Sequence, residues 1–230
     1  MQHTIIVGGS SGIGLATARQ LIAVGHQVTI TGRSEARLAG AKREVSGVNA
    51  VVMDATAPDF SRMGAFDHLV LALGSGRGTG PFAKLSLADV KAGFEEKVFA
   101  HFATAQAALP FIRPTGSITF VSAVSAHGAM PGTAGIGAAN AAVAQLVPIL
   151  AVELKPLRVN GVSPGVIDTP WWDAVPADQK KAMFEQIAAK TPVGRVGTAE
   201  DVARAIAFLT ECGFMSGHTI ICDGGLHLSL

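Results

Sequence analysis

The stretch Thr4-Ile5-Ile6-Val7-Gly8-Gly9-Ser10-Ser11-Gly12-Ile13-Gly14 decides the fold. An apolar run of strand type ends in a glycine-rich turn, and a helical pattern, Leu15–Ile22, follows directly. The start of a helix offers free backbone N–H groups and a partial positive charge, and glycines let the backbone approach an anion closely. Glycine-rich turns are common, so the pattern alone is weak evidence. Its place between a strand and a helix makes a phosphate-binding turn the working hypothesis.

Composition and charge narrow the class of protein. The 230 residues, 49% hydrophobic and 15% charged, suffice for one well-buried α/β domain, and we predict a single domain over residues 1–230. A net charge of +1 gives no electrostatic case for nucleic acid or an anionic membrane as partner. The alanine-rich stretch Ala134–Val147 is interrupted by glycine and polar residues, so no membrane span is expected.

The N-terminal sequence and the cysteines bear on location. The chain passes directly into its first strand, without a basic segment followed by an apolar signal core, which predicts a cytoplasmic protein. Cys212 and Cys222 are too few for a disulfide scaffold and lack the spacing of metal ligands, so two free thiols are expected. The histidines are scattered along the chain, and no metal site is expected.

Strand and helix patterns alternate along the whole chain. Apolar segments of strand type are predicted at residues 4–7, 27–31, 49–53, 68–73, 117–121, 158–162 and 219–222. The helical patterns between them end near Gly25, Glu44, Leu109 and Leu154. Ser86-Leu87-Ala88-Asp89 has the pattern of a capping box, and Thr198 is expected to cap a further helix. This alternation predicts an α/β doubly wound parallel sheet, a Rossmann fold, with ligands at the carboxyl ends of the strands.

Residues 166–191 form a long segment after the sixth strand and carry Trp171, Trp172, Met183 and Phe184. Amphipathic lids use such residues to cover an apolar ligand and exclude water, so we interpret the segment as a substrate lid. Packing against the domain itself or against a partner subunit would use the same residues.

Further motifs occur in the order found in one known family. Asp54 follows the third strand, Leu71-Ala72-Leu73-Gly74 ends the fourth, and Arg158-Val159-Asn160 leads to Ser163-Pro164-Gly165. Gly194-Arg195, Glu200-Asp201-Val202-Ala203 and Asp223-Gly224-Gly225 complete the series. Together with the glycine turn, these motifs resemble the short-chain dehydrogenase/reductase family over essentially the whole chain.

The resemblance implies a nicotinamide dinucleotide along the glycine turn and the strand ends. The positions implied as cofactor contacts are Gly8, Ser10, Ser11, Gly12, Ile13, Gly14, Arg33, Asp54, Ala72, Leu73, Gly74, Lys97, Val121, Pro164, Gly165, Ile167 and Thr169. Of the family's Asn-Asn-Ala-Gly segment only Gly74 is retained.

Arg33 favours NADP(H) over NAD(H). A fold that selects NAD usually places a carboxylate after the second strand to hold the ribose 2′-OH. Here Gly32 leaves room, and Arg33 offers a forked cation suited to a 2′-phosphate. The alternative is a solvated arginine at the start of a helix.

The resemblance breaks at the catalytic residues. The family's Tyr-x-x-x-Lys motif falls on Ile136 and Asn140, its serine on Ala123 and its asparagine on Lys97. The chain contains no tyrosine at all, so the usual proton donor is missing. A placed general acid is worth roughly 10²–10⁴ in rate, so this loss calls for a replacement.

Lys97 and Asn140 look like the family's asparagine and lysine exchanged between two helices. In the family these two side chains lie close together, linked through water. We hypothesise that the Lys97 ammonium occupies much the same pocket from the opposite wall. The alternative is an ordinary surface lysine beside Glu95 and Glu96.

The candidates for the proton donor are Lys97, Ser122, Ser125, His127 and water. A serine hydroxyl is too weak an acid to act alone, but it can polarise a carbonyl oxygen. Ser122 can take the place of Ala123 only if the strand end bends, because neighbouring strand residues point to opposite faces. His127 lies in the loop that should border the substrate, and imidazole changes charge near neutral pH. A loop histidine without a role is the alternative.

Two functions fit these features. The first is an NADP(H)-dependent oxidoreductase that transfers hydride to or from a small carbonyl or alcohol, or an activated double bond, with a non-standard proton donor. The second is a non-catalytic NADP(H)-binding sensor or regulatory protein. The resemblance also implies a homodimer or homotetramer built on the two long helices.

Overall fold

A computed structural model describes residues 1–229 and builds them around a seven-stranded sheet with every pair of neighbours parallel. Its strands are β1 His3–Val7, β2 Gln27–Gly32, β3 Asn49–Val52, β4 Phe66–Leu71, β5 Ile112–Val121, β6 Arg158–Pro164 and β9 Thr219–Cys222, in the spatial order β3-β2-β1-β4-β5-β6-β9. β7 Ile167–Asp168 pairs with β8 Gly197–Thr198. The predicted doubly wound sheet is confirmed, with its reversal of strand order between β1 and β4.

Helices cover both faces of the sheet. They are α1 Gly12–Ala23, α2 Glu35–Glu44, α3 Leu87–Phe94, α4 Ala100–Ala108, α5 Ala134–Glu153, α6 Ala177–Lys190 and α7 Ala199–Glu211. A π-turn, Glu95–Phe99, joins α3 to α4.

The strands are apolar on both faces because each face has its own core. Ile5 and Val7 of β1 pack in one cluster with residues of α4 and α5, whereas Ile6 packs in the other with residues of α1, α2 and α7. The same alternation divides Leu69 and Val70 of β4. Such near-continuous apolar runs are what a parallel sheet covered on both sides requires.

The helix ends largely follow the local sequence signals. α1 ends at Ala23, and Gly25 takes a φ of +93°. Thr198 and Asp201 form a complete capping box at α7. At α3 only half of the predicted box forms, because Asp89 uses its carboxylate on the Gly78 N–H and on the Arg77 guanidinium.

Two strands lie at positions that differ from the prediction. β4 spans Phe66–Leu71 rather than residues 68–73, because the chain leaves the sheet at Ala72 for the glycine-rich loop. β5 begins at Ile112 rather than residue 117, and the pairing register shifts between Phe66 and His68. A register shift of this kind leaves no trace in local hydrophobicity.

Within residues 1–229, one helix, α5, is long and apolar enough to cross a membrane. The helix runs from Ala134 to Glu153 and so extends beyond the interrupted stretch Ala134–Val147. In the fold α5 packs along β5 and β6, and its Val143 and Val147 are fully buried. A core helix passes the same test of length and apolarity, so that test alone does not indicate a membrane span.

We expect Gly14→Ala to destabilise the fold by about 2–3 kcal/mol or to prevent folding. A Cβ at Gly14 would press against the Gly8 carbonyl oxygen, closer than non-bonded atoms approach. Gly213→Ala is the matched control, because a Cβ there meets nothing within 4 Å. Urea unfolding measures both variants, and equal stability would contradict the steric argument.

Candidate active site

The glycine turn after β1 is packed too closely for side chains. Gly8 has a φ of +83°, and a Cβ there would lie 2.5 Å from the Ala72 carbonyl oxygen. Gly12 has a φ of +53°, and Gly14 lies against the Gly8 backbone. The turn therefore joins β1, α1 and the end of β4 in one backbone-lined surface.

The first turn of α1 remains available to an anion. Ser11 precedes the helix in an extended conformation, and its side chain makes no capping hydrogen bond. The first turn carries no acidic residue. The backbone N–H groups of this turn therefore face the cleft without a side-chain acceptor, as a phosphate-binding helix start requires.

The end of β2 presents a cation. Arg33 follows Gly32 and is exposed. A Cβ on Gly32 would lie 3.3 Å from the Ser10 Oγ, so the glycine turn and the end of β2 border the same space. Asp54, at the end of the neighbouring β3, accepts hydrogen bonds from the Thr56 N–H and hydroxyl, both at 2.9 Å. These bonds, with a smaller contribution from Arg33, hold the pKa of the Asp54 carboxyl below its usual value.

The beginning of the predicted lid lies across the cleft between β1 and β4. A Cβ on Gly12 would lie 3.3 Å from the Thr169 Cβ. The indole of Trp171 lies over the loop after β4, within 3.9 Å of Cβ positions built on Gly74 and Gly76. The segment therefore covers the point where the strand order reverses, at which ligands of such sheets bind.

The rest of the segment is attached loosely. Trp172 donates its Nε1–H to the Ile167 carbonyl at 3.0 Å and packs edge-on against Phe184 of α6. Lys180 pairs with Asp168 at 2.7 Å. No residue of α6 is buried. A helix held by so few contacts is suited to opening, and its role as a lid stays a prediction.

Lys97 points into the protein from the π-turn. Its side chain is 4% exposed, and its Nζ donates to the carbonyls of Leu73 at 2.7 Å and Val121 at 2.8 Å. The interpretation as a surface lysine is therefore wrong. Burial lowers the pKa of the amine to about 7. An extra residue in a helical turn re-aims side chains, and π-turns occur frequently at functional sites.

His101 supports the π-turn from below. Its ring is fully buried and stacks on Phe120, and its Nδ1 lies 2.6 Å from the Lys97 carbonyl oxygen. Its Nε2 lies 3.2 Å from the Leu71 carbonyl oxygen. Burial, and then the nearby Lys97 charge, lower the pKa of His101 to about 3, so the imidazole is neutral. Sequence reasoning assigned this residue no role. The available signal was its spacing of four from Lys97, which places both on one helix face.

Ile136 and Asn140 lie on the α5 wall of the site. The Ile136 N–H donates to the Gly78 carbonyl at 2.9 Å, and its side chain is buried. Asn140 donates its Nδ2–H to the Ser125 Oγ at 3.1 Å. The buried Asn140 Oδ1 has no hydrogen-bond partner among the described residues. The π-turn that carries Lys97 packs against α5, which carries Asn140. The third N–H of the Lys97 ammonium and the Asn140 Oδ1, unpaired within residues 1–229, therefore lie on neighbouring elements.

The serines and His127 form a different arrangement from the one expected. The backbone stays extended at Ala123, with φ −163°, so the bend that would let Ser122 replace it is absent. The Ser122 hydroxyl instead bonds to the hydroxyl of Ser163, the next-to-last residue of β6. The Ser163 Oγ also lies 2.9 Å from the His127 Nε2. Sequence reasoning quoted Ser163 only as part of a motif, because nothing local shows that β5 and β6 bring the two hydroxyls together.

Comparison with known proteins identifies the family. A family model described as enoyl-(acyl carrier protein) reductase matches residues 7–227. The chain is 32% identical to cis-4-hydroxycyclohexanecarboxylate dehydrogenase of Sinomonas cyclohexanicum, over 96% of this chain and 94% of that protein.

Two solved structures share the fold over nearly the whole length. A small-chain dehydrogenase in complex with NADPH is 30% identical, with a TM-score of 0.83 and 99% of each chain covered. A short-chain oxidoreductase from Pseudomonas aeruginosa PAO1, described as containing an atypical catalytic center, is 28% identical, with a TM-score of 0.86 and 98% and 97% of the two chains covered. The chain belongs to the short-chain dehydrogenase/reductase family of oxidoreductases, as its motifs predicted.

The buried Lys97 should make stability depend on pH in the neutral-to-alkaline range. Its pKa is about 7 in the fold against an ordinary value of 10.5, so between these values the unfolded chain binds more protons and stability rises with pH. Relative to Lys97→Met, the native protein should gain about 3 kcal/mol of unfolding free energy between pH 7 and 9.5.

Urea unfolding at both pH values measures this difference. Lys91→Met, at an exposed lysine of α3, is the control and should follow the native protein. Parallel pH dependence in the native protein and Lys97→Met would contradict a depressed pKa for Lys97.

Proposed function

We propose that this protein is an NADP(H)-dependent oxidoreductase that transfers hydride to or from a small carbonyl or alcohol, or an activated double bond. One observation carries the cofactor assignment: the uncapped start of α1, above a turn with no room for side chains, borders the exposed Arg33 at the end of β2. The NADPH complex of a relative that is 30% identical supports it.

The residues present fit such a cofactor. The pyrophosphate would bind the N–H groups at Gly12 to Gly14, where the helix dipole favours negative charge. Arg33 would hold the 2′-phosphate with paired charge-assisted hydrogen bonds. When bound, the cofactor supplies or accepts the hydride. Thr169 and Trp171 would then cover the nicotinamide end and exclude water.

Lys97 supports the floor of the cleft. By binding the Leu73 and Val121 carbonyls it ties the ends of β4 and β5 together beneath the predicted nicotinamide position. A cation in this buried place stabilises negative charge that develops on a substrate oxygen. We proposed above that Lys97 and Asn140 exchange the family's asparagine and lysine. The packing of the π-turn against α5 and the Oδ1 of Asn140, unpaired in the described part of the chain, support this exchange.

Ser125 is the proposed oxyanion donor. Its Oγ accepts a hydrogen bond from Asn140, so its own hydrogen is free to donate to a substrate oxygen. This arrangement gives Asn140 a role in orienting a hydroxyl rather than in acid–base chemistry. It also places a polar donor beside Ile136, where the family has its tyrosine.

A non-catalytic NADP(H)-binding sensor or regulator is the second candidate. The observation that favours it is the buried Ile136, an apolar side chain at the family's proton-donor position. Oxidation of NADPH in a screen of small carbonyls and activated alkenes separates the two. Tight NADPH binding without turnover of any of them would favour the sensor.

The partner in solution is proposed to be a second copy of this chain. α4 and α5 cover the same face of the sheet, and their outer surfaces expose apolar residues: Phe102 is 50% exposed, Ile149 50% and Val152 73%. Large exposed apolar side chains on two helices of one face favour an interaction surface there. Assembly as a homodimer or homotetramer through these helices, in the cytoplasm, fits both candidate functions.

Arg33→Ala should weaken NADPH binding about 10–100-fold and leave NADH binding nearly unchanged, because only NADPH carries the 2′-phosphate. Isothermal titration of both nucleotides measures this. Arg43→Ala, near the far end of α2, is the control and should bind both as the native protein does. Equal losses for both nucleotides would contradict a 2′-phosphate contact.

Val152→Glu should convert the assembly to monomers, because it buries an unpaired charge in the proposed helix interface. Sedimentation velocity measures the change. Val24→Glu places the same charge at another exposed valine, at the end of α1, and should leave the oligomer intact. A native protein that sediments as a monomer would contradict the proposed interface.

A further inference from the structure

We propose that Ser163 and Ser122 are positioning residues that fix the tautomer of His127, so that its Nδ1 is the atom that exchanges a proton with the substrate. This inference rests on the proposed oxidoreductase function.

Three side chains form a continuous hydrogen-bonded chain at the carboxyl edge of the sheet. The His127 Nε2 lies 2.9 Å from the Ser163 Oγ, which in turn bonds to the Ser122 Oγ. Ser122 ends the chain with a long hydrogen bond of 3.5 Å to the Val162 carbonyl oxygen. Ser163 is fully buried, whereas His127 is exposed. The chain therefore leads from the protein interior to the exposed loop that follows β5.

One assignment of the hydroxyl hydrogens gives each of the three contacts a donor. The Val162 carbonyl can only accept, so Ser122 donates to it, and the one hydrogen of Ser122 is then used. Ser163 consequently donates to Ser122, and the His127 Nε2 must carry the hydrogen that bonds to Ser163. In the reverse direction the Ser122 hydroxyl donates to Ser163, and the Val162 carbonyl keeps only its bond from the Ser122 N–H at 2.9 Å. The first direction makes neutral His127 the Nε2–H tautomer, with its lone pair on Nδ1, and this is the tautomer that we propose.

The Nδ1 is free for chemistry. Among residues 1–229 it has no hydrogen-bond partner, and the ring belongs to the loop that follows the 3₁₀ turn Val124–Ala126, beside Ser125. Lys97 is less suited to exchange protons with a substrate, because it is 4% exposed and donates to two backbone carbonyls. His127 is the exposed titratable side chain in this set.

The proton transfer balances with the proposed hydride transfer. A bound NADPH would supply the hydride to the carbonyl carbon and leave as NADP⁺; as the C=O π electrons move onto oxygen, protonated His127 would give its Nδ1–H to that oxygen. The N–H bond breaks, an alcohol O–H forms, and the neutral ring keeps its Nε2–H on Ser163. Solvent then returns a proton to the exposed Nδ1. Alcohol oxidation runs the same steps in reverse.

The tautomer can be measured without any substrate. Two-bond ¹H–¹⁵N correlation spectra of the full-length protein distinguish the Nε2–H and Nδ1–H forms, and His127→Gln identifies the His127 signals. We expect the Nε2–H form in the native protein. In Ser122→Ala, Ser163 loses its acceptor and turns its hydrogen to the His127 Nε2, so the population should shift to Nδ1–H.

The control is Ser117→Ala, which removes another buried serine that bonds to a histidine, His68, at 2.8 Å on β4. It should leave the His127 signals unchanged. An Nδ1–H form in the native protein, or an unchanged tautomer in Ser122→Ala, would overturn the proposal.

Kinetics then test whether His127 is the proton donor. With NADPH and 4-nitrobenzaldehyde as a carbonyl probe, His127→Gln should lower kcat about 10²-fold or more with the NADPH Kd unchanged. Ser122→Ala should lower kcat with little change in KM, and Ser117→Ala should match the native protein. A native rate in His127→Gln would overturn the role of His127. Absence of NADPH binding by the native protein would instead contradict the proposed function, whatever the tautomer.

Discussion

The contact between Gly14 and the Gly8 carbonyl is the constraint on which the site depends. It brings the first turn of α1 down onto the end of β1, and the Ala72 carbonyl closes the third side at β4. A Cβ at Gly8 or Gly14 would collide with backbone atoms, so the turn brings its backbone N–H groups close to the cleft. A surface of that kind recognises an anion by geometry, and it places the binding cleft at the reversal of strand order between β1 and β4.

Lys97 links the carboxyl ends of β4 and β5 at the floor of the cleft. The Leu73 carbonyl lies two residues beyond the end of β4 and the Val121 carbonyl belongs to the last residue of β5, and the ammonium binds both. The π-turn lets the Lys97 side chain reach both carbonyls. The Nδ1 of the buried His101 lies within hydrogen-bond distance of the backbone carbonyl oxygen of Lys97. Isolated burial of a lysine is costly, so the amine pKa falls to about 7.

The sequence was sufficient for the sheet, because apolar runs, glycine turns and caps such as Thr198 are local signals. It was also sufficient to locate Arg33 at the end of β2. It failed where two distant segments meet. The burial of Lys97 depends on a π-turn that no periodicity reveals, and the bond between Ser122 and Ser163 depends on the pairing of β5 with β6. The start of β5 at Ile112 was missed for the same reason, since its pairing with Phe66 crosses a register shift.

The chain lacks the tyrosine that serves the family as proton donor, and the proposed mechanism assigns its work to two residues, Lys97 and His127. In the proposed mechanism a buried cation stabilises charge, while an exposed imidazole moves the proton. Burial separates the two groups: Lys97 is shielded from water and donates to two backbone carbonyls, whereas His127 is exposed and in the proposed mechanism regains a proton from solvent. Ser163 gives the exposed ring the fixed orientation that its loop alone would not provide. An apolar Ile136 is compatible with this division, because neither task requires a donor at that position.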